Sequence, residues 1–382
     1  MRDAAASREQ ALRPRHPVHG RRHGHRHGAG SRLMGRPQTE QAGMDAAARH
    51  DGPPLPALLA GDNEIAGNSE ASLRDIGDGL ALFEIHRKMN SFDPAVQDML
   101  EDTLARAGRG FRALILANGS DRAFSAGADL NHFLGLIERQ DFDGLTGFIR
   151  RGQELFQAMK YAPVPVVAAV TGVALGGGCE FALHADAIVA DADARFGLPE
   201  AKLGVLPAWG GCTQMLLRAQ AQPAVSGPLA PAGAVFDLIL HGWVSGSAAK
   251  AREKGFLRDG DAIVEAGGDV FAAARARAIE LADGYSPPDK PLITIAGHSG
   301  WLGLMQPAYG MGYAGRLTET DLRIGGAVAD VLTGGPEGEY LWRVSEDDLM
   351  RRELEALVAL CRTVETRERM AHFLKTGEPL HN

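Results

Sequence analysis

A chain of 382 residues with 45% hydrophobic and 23% charged side chains has the composition of a globular enzyme of one large or two modest domains, able to bury a core without metal or disulfide staples. Its three cysteines, Cys179, Cys212 and Cys361, form no CxxC pair, which excludes a zinc ribbon or disulfide framework and points to a reducing, cytoplasmic compartment. The net charge of −8 is uneven, because ten arginines, no lysine and four acids give residues 1–50 a charge of +6 and leave −14 on the rest.

The basic head interleaves its arginines with His16, His19, His23, His25 and His27. It has neither apolar periodicity nor aromatic residues to stack on bases, so disorder is expected rather than nucleic-acid or membrane binding. Nothing fixes a metal geometry among the histidines, and no metal site is expected. No apolar run reaches the length of a membrane span, no signal-peptide core follows the first arginines, and Met44 offers an alternative start. Residues 1–69 read as tail and linker, with order expected from about Ala71.

Leu80 to His86 alternates as a strand does. Asp93-Pro94 signals a helix start, and a helix is predicted to about Arg106. Phe111–Ala117 is predicted as a buried strand ending at Asn118-Gly119-Ser120. Gln140 to Lys160 carries Leu145, Phe148, Leu155, Phe156 and Met159 at helical spacing. Val164–Val170 is a further buried strand, followed by a glycine-rich turn, a helix from Cys179 and a short strand at Ile188–Ala190. The alternation predicts an α/β domain over 70–271 with mostly parallel pairing. After about Ala272 strands are expected to vanish, leaving a helical C-terminal region over 272–382 with the apolar stripe Leu354, Leu357, Leu360 and Cys361. Trp301 and Tyr309 are expected in the core.

Three segments carry chemistry. In Phe124-Ser-Ala-Gly-Ala-Asp-Leu130, the small residues Ala126, Gly127 and Ala128 would let a ligand approach the backbone, though taken alone a tight turn before a helix is the commoner explanation. Gly172-Val-Ala-Leu-Gly-Gly-Gly-Cys-Glu180 sits at a strand-to-helix junction, where unpaired N–H groups stabilise an anion. A phosphate loop is the rival there, weakened because no Lys-Ser or Lys-Thr follows the glycines. Glu180 alone could be a first-turn acid favoured by the helix dipole. In Phe196-Gly-Leu-Pro-Glu200, apolar surroundings would raise the Glu200 pKa and suit acid–base work; a surface-loop acid is the alternative.

Together, in this order and spacing, F-S-A-G-A-D-L, A-L-G-G-G-C-E and F-G-L-P-E resemble the enoyl-CoA hydratase/isomerase, or crotonase, superfamily over about Ala71 to Val264. The resemblance implies a spiral of ββα units followed by helices that support a homo-oligomer. It implies an acyl-CoA thioester substrate, contacted by Ala126, Gly127, Ala128, Asp129, Leu130 and Gly177, with no cofactor beyond the coenzyme A of the substrate. It assigns oxyanion-hole N–H groups to Ala126 and Gly177 and the catalytic acids to Glu180 and Glu200. Hydration of a trans-2-enoyl-CoA in fatty acid β-oxidation is the expected reaction. The alternatives are double-bond isomerisation and a non-catalytic acyl-CoA-binding subunit of a dehydrogenase. His86-Arg-Lys-Met-Asn-Ser91 departs from the family's lead-in, which leaves the CoA-phosphate contact of Arg87 or Lys88 open. Ala208-Trp209 replaces the common small residues before the glycine pair and would reshape the acyl pocket. The stretch 219–234 is longer than usual. His184 and Asp186 are read as structural rather than as a relay. The C-terminal hundred residues resemble the end of bacterial fused 3-hydroxyacyl-CoA dehydrogenase/enoyl-CoA hydratases, which makes a dehydrogenase the expected partner of a separated or truncated module.

Overall fold

A computed structural model describes residues 53–222, 227–338 and 342–382. The expectations for residues 1–52, and for the middle of the 219–234 stretch, lie outside the described residues. Helix α1 (Leu55–Leu59) and strand β1 (Glu64–Gly67) precede β2 (Ala71–Asp75), and β1 pairs antiparallel with β2. Regular structure therefore starts before Ala71, inside the stretch expected as linker. The residues of β1 are mostly exposed, so no apolar alternation marked them.

The chain continues through β3 (Leu80–Ile85), α2 (Pro94–Arg106) and β4 (Ala113–Leu116). Asp93 caps α2 by accepting the Val96 N–H at 2.9 Å, with Pro94 in the first turn, as the sequence predicts. From here the chain alternates between two sheets. It runs through β5 (Ala123–Ser125), α3 (Leu130–Glu138), α4 (Phe142–Lys160), β6 (Val166–Val170), β7 (Val173–Leu175), α5 (Gly177–Leu183), β8 (Ala187–Asp191) and β9 (Arg195–Gly197). Then come α6 (Gly211–Gln220), α7 (Leu229–Leu240), α8 (Ala248–Glu253), β10 (Ala262–Val264) and α9 (Val270–Ala282). The large sheet has the order β1-β2-β3-β4-β6-β8-β10, and the small one β5-β7-β9. Pairing is parallel from β3 to β10 and throughout the small sheet. Two successive strands, one for each sheet, followed by a crossing helix make one turn of a ββα spiral.

Strict alternation assigns the strand side chains to two cores. Leu80, Leu82, Ala113, Ile115, Val167 and Ala169 face an outer layer, while Phe83, Leu114, Leu116, Val166, Ala168 and Val170 face the main interior. Both faces being covered, these strands read as continuous apolar runs. The outer cover includes Leu58 of α1 and Val270, Phe271, Ala274 and Ala278 of α9. The boundary expected after residue 271 thus falls inside a helix that completes the α/β layer.

The remaining elements are β11 (Leu292–Ile295), α10 (Gly297–Tyr313), α11 (Glu319–Thr333), β12 (Trp342–Ser345), α12 (Glu346–Cys361) and α13 (Val364–Thr376). Strands do not vanish after Ala272, since β11 and β12 pair antiparallel with Leu292 opposite Ser345. They are short and far apart in sequence, so no hairpin signal announces them. Reciprocal capping boxes, Thr318 with Asp321 and Ser345 with Asp348, start α11 and α12. Leu354, Leu357, Leu360 and Cys361 are all buried. Each such leucine contributes roughly 1.5–3 kcal/mol of burial free energy. Tyr309, expected inside, is 42% exposed on α10. Helix α12 packs on α4 and α6, and α13 on α3, which folds the C-terminal helices back over the spiral. Among the described residues no helix is long and apolar enough to cross a membrane.

Candidate active site

Two backbone turns meet at the centre of the site. Gly127 has φ +89°, and a Cβ there would stand 2.7 Å from the Gly177 nitrogen and 3.1 Å from the Leu175 carbonyl oxygen. Only glycine lets the turn after β5 lie this close to the start of α5. Ala126 donates its N–H to the Met89 carbonyl at 3.0 Å, Gly127 to Ser125 Oγ at 3.2 Å, and Asp129 to the Phe92 carbonyl at 2.8 Å. Among the described residues the Ala128 N–H has no acceptor, and Gly177 opens α5, where the helix leaves its N–H unpaired. The Ala128 nitrogen lies 3.4 Å from the place a Gly177 Cβ would occupy. The oxyanion pair expected from the resemblance, Ala126 with Gly177, is therefore corrected: the free donors are Ala128 and Gly177, because Ala126 is committed to Met89. Three small residues in a row gave no sequence signal as to which N–H points outward.

Asp129 caps α3 through the N–H groups of Asn131, at 2.9 Å, and His132, at 3.2 Å, and also binds Arg87. Burial raises its carboxyl, but these donors outweigh burial and hold it below the usual range. Arg87 also reaches Asp93 at 2.7 Å and Glu70 at 2.8 Å. Its guanidinium is thus engaged by three carboxylates, whereas Lys88 is exposed at the cavity rim.

Glu180 is buried on the first turn of α5. Its Oε1 accepts both the Trp209 and the Gly211 N–H, each at 2.7 Å, which leaves Oε2 uncommitted toward the cavity. Burial pushes its pKa up to about 7, against the lowering effect of those two N–H groups. Glu200 opens the short 3-10 turn Glu200–Leu203, and its Oε2 is buried without a hydrogen-bond partner. Burial first, then the neighbouring Glu180 charge, holds the Glu200 carboxyl well above the carboxylate range. The two acids thus differ: one is tethered by backbone donors and titrates near neutrality, while the other has an oxygen without a partner and is held well above the usual range.

A cavity of about 510 Å³ joins these groups. Ala126, Ala128, Asp129, Leu130, Gly177, Glu180 and Glu200 line it, while Gly127 stands behind, against Gly177. Sequence reasoning missed the contribution of the C-terminal helices: Leu357 of α12 and Met370 and Phe373 of α13 close one side. It also missed Glu353 of α12, fully buried, which accepts the Gly210 N–H at 2.8 Å, the Thr213 N–H at 2.8 Å and the Thr213 hydroxyl at 2.7 Å. Trp209 is buried among Phe92, Phe148 and Phe156, with its ring against Gly152 of α4 and Gly177. It fills space behind the turn that carries Gly127 and the start of α5. A larger cavity, about 660 Å³ between α4 and α12, contains neither of the paired acids nor a free backbone turn.

His184 and Asp186 do not form a relay. His184 Nδ1 donates to the Glu180 carbonyl at 2.7 Å, and burial depresses its pKa to about 4, so the ring is neutral. Asp186 instead accepts from the Val166 N–H at 2.8 Å and the Tyr285 hydroxyl at 2.9 Å. Cys179 is fully buried, and burial pushes its thiol far from ionisation.

Residues 75–226 match the family model described as enoyl-CoA hydratase/isomerase. The chain carries a crotonase-family domain. Its likeness to longer proteins extends further: the "Probable 3-hydroxyacyl-CoA dehydrogenase" of Bacillus subtilis (strain 168) is 34% identical over 329 residues, which is 86% of this chain and 41% of that protein. A Rickettsia felis protein named as a fatty acid oxidation complex trifunctional enzyme is 37% identical over 140 residues, 36% of this chain and 19% of that one. The chain spans less than half the length of these relatives. The solved enoyl-CoA hydratase of Bacillus halodurans superposes with a TM-score of 0.55 at 18% identity, covering 80% of this chain and 100% of that one. This is a likeness of fold, and it agrees with the crotonase spiral traced above.

Proposed function

We propose that this crotonase-family domain is an enoyl-CoA hydratase, adding water across the 2,3 double bond of a trans-2-enoyl-CoA. The observation that carries the reading is the contrast between two buried carboxyls facing one cavity. Glu180 is tethered through Oε1 and titrates near 7, and burial with the Glu180 charge holds Glu200 well above the usual carboxylate range. Beside them lie the free N–H groups of Ala128 and Gly177. In this reading the thioester oxygen accepts from Ala128 and Gly177, where negative charge accumulates as the β-carbon is attacked. One such donor contributes on the order of 3 kcal/mol to transition-state stabilisation. Glu180 Oε2 takes one proton of the water, the hydroxyl oxygen bonds to the β-carbon, and Glu200 delivers its proton to the α-carbon. The proton gained by Glu180 then replaces the one lost by Glu200, through solvent or product exchange.

Isomerisation is the second reading, since a single unpartnered carboxyl such as Glu200 would suffice to move a proton between carbons. Assay of crotonyl-CoA hydration with Glu180→Gln and Glu200→Gln separates the two. Hydration needs both acids, so each variant should lose roughly 10²-fold or more. Full hydratase activity in either variant removes that residue from the mechanism, and loss confined to Glu200→Gln transfers the assignment to isomerisation. The names of the longer relatives support a place in fatty acid β-oxidation, where a 3-hydroxyacyl-CoA dehydrogenase would take the hydrated product. A cytoplasmic homo-oligomer remains part of the proposal, resting on the family resemblance alone.

A further inference from the structure

We infer that Glu353, on α12, is a positioning residue for the proposed reaction: it fixes the turn on which the Glu180 carboxylate rests. The inference depends on Glu180 being the group that handles the water proton. Its basis is the sharing of one short turn between two buried carboxyl groups. Glu180 Oε1 takes the N–H groups of Trp209 and Gly211, and Glu353 takes those of Gly210 and Thr213 together with the Thr213 hydroxyl. Donors at 209 and 211 thus serve Glu180, while those at 210 and 213 serve Glu353.

The backbone of the turn is itself weakly restricted, although the Trp209 ring is packed and the Ala208 and Gly210 carbonyls accept from Gln153 Nε2 at 2.8 Å and the Gln214 N–H at 2.7 Å. Gly210 has φ +99° and Gly211 follows it, so two adjacent residues lack the side chains that would restrict the backbone. Gly210 is the cap of α6 and has no side chain to bind the first N–H groups of that helix. Glu353 takes over that role from outside: its two oxygens accept N–H groups that the first turn of α6 leaves unpaired, although burial and the Glu180 charge hold its carboxyl well above the usual range. Rotation of the 209–211 peptides would turn away the two N–H groups that hold Glu180 Oε1, and Oε2 would lose its aim into the cavity. Displacements of about 1 Å at a catalytic group can cost 10²-fold in rate. The C-terminal region, read from sequence as helical with an apolar stripe, therefore contributes a side chain that acts on the chemistry through Glu180.

The test is a double-mutant cycle on the full chain with crotonyl-CoA, with thermal unfolding measured for every variant. Glu353→Gln keeps the volume but sets an amide donor against either Gly210 or Thr213. Its kcat should fall roughly 10- to 100-fold with KM within about threefold, because the substrate-binding N–H groups are not touched. In the Glu180→Gln background the same substitution should cost about twofold or less, since residues acting as one unit are not additive. Thr213→Val removes a single donor to Glu353; a several-fold loss of kcat with the same non-additivity is expected, and this variant decides the matter if Glu353→Gln does not fold. Equal losses in the two backgrounds, or wild-type kcat in a folded Glu353→Gln, would overturn the inference. Full activity in Glu180→Gln would instead overturn the proposed function on which it rests.

Discussion

Replacing Glu180 by glutamine should make the protein more stable at alkaline pH, although it should lower turnover by roughly 10²-fold or more. Oε1 carries both backbone bonds, so the amide oxygen of glutamine can keep them while the nitrogen takes the place of Oε2. What disappears is a buried charge. The ordinary glutamate value is 4.5, and burial raises it to about 7 in the folded protein. Below about pH 4.5 the side chain is protonated in both states and adds nothing. As pH rises from there the unfolded chain ionises first, and stability is lost at about 1.4 kcal/mol per pH unit until the folded carboxyl ionises too, near 7. The accumulated penalty is on the order of 3 kcal/mol, and Glu180→Gln escapes it. For a domain of this size each kcal/mol corresponds to about 2 °C in Tm. Thermal unfolding of both proteins between pH 5 and 8.5 should show curves that nearly coincide at the acid end and separate by about 6 °C at the alkaline end. A variant that is less stable than wild type, by a margin growing with pH, would refute the reasoning. It would mean that the Trp209 and Gly211 N–H groups more than compensate burial.

The same ionisation sets the pH dependence of turnover: kcat/KM should rise with pH through about 7 as Glu180 becomes able to accept a proton, and a flat profile across that range would exclude it as the base. Gly127→Ala places a Cβ 2.7 Å from the Gly177 nitrogen at φ +89°, so the oxyanion turns must separate; kcat should fall by about 10²-fold or more while the fold, followed by circular dichroism, persists. Trp209→Ala empties space between Gly152 and Gly177. It should destabilise by about 3–5 kcal/mol in denaturant unfolding and shift relative kcat/KM toward longer enoyl-CoA chains. Removal of residues 1–69 strips β1 from the edge of the large sheet and Leu58 from the outer core, so a clear drop in Tm is expected rather than a neutral truncation.

The spiral was legible wherever a strand is covered on both faces or a helix begins with a side-chain cap. Continuous apolar runs marked β4, β6 and β8, and Asp93-Pro94 marked α2, because burial and capping act through the residues themselves. Elements that are short, or that lie exposed at a sheet edge, left no trace. The exposed β1 is held by the backbone of β2, and β11 and β12 find each other across α10 and α11. Helix α9 could be read as a helix but not assigned to a layer, since its small residues give only a weak apolar face.

At the site, legibility followed side-chain chemistry. Glu180, Glu200 and the two glycine-rich turns stood out because glutamates in apolar or glycine-rich surroundings are unusual. The choice between the N–H groups of Ala126 and Ala128 depended on where the Met89 carbonyl lies, which in turn depends on positive φ values at Met89 and Asn90. Residue type does not encode that. Glu353 is a different case, because Arg351-Arg352-Glu353-Leu354-Glu355 looks like a solvated helical face. Yet Met350, Glu353, Leu354 and Leu357 fall at i, i+3, i+4 and i+7, the positions of a buried stripe, and all four are buried. A glutamate on the apolar stripe of a helix must find donors, and the N-terminus of α6 supplies them. Arg369 of α13 obeys the same logic: it shares a stripe with the buried Thr366 and Met370 and is satisfied by Asp321, the Ala201 carbonyl and Asn382. Charged residues at stripe positions of the C-terminal helices thus marked where those helices dock on the catalytic spiral, and one of them docks on the turn that holds Glu180.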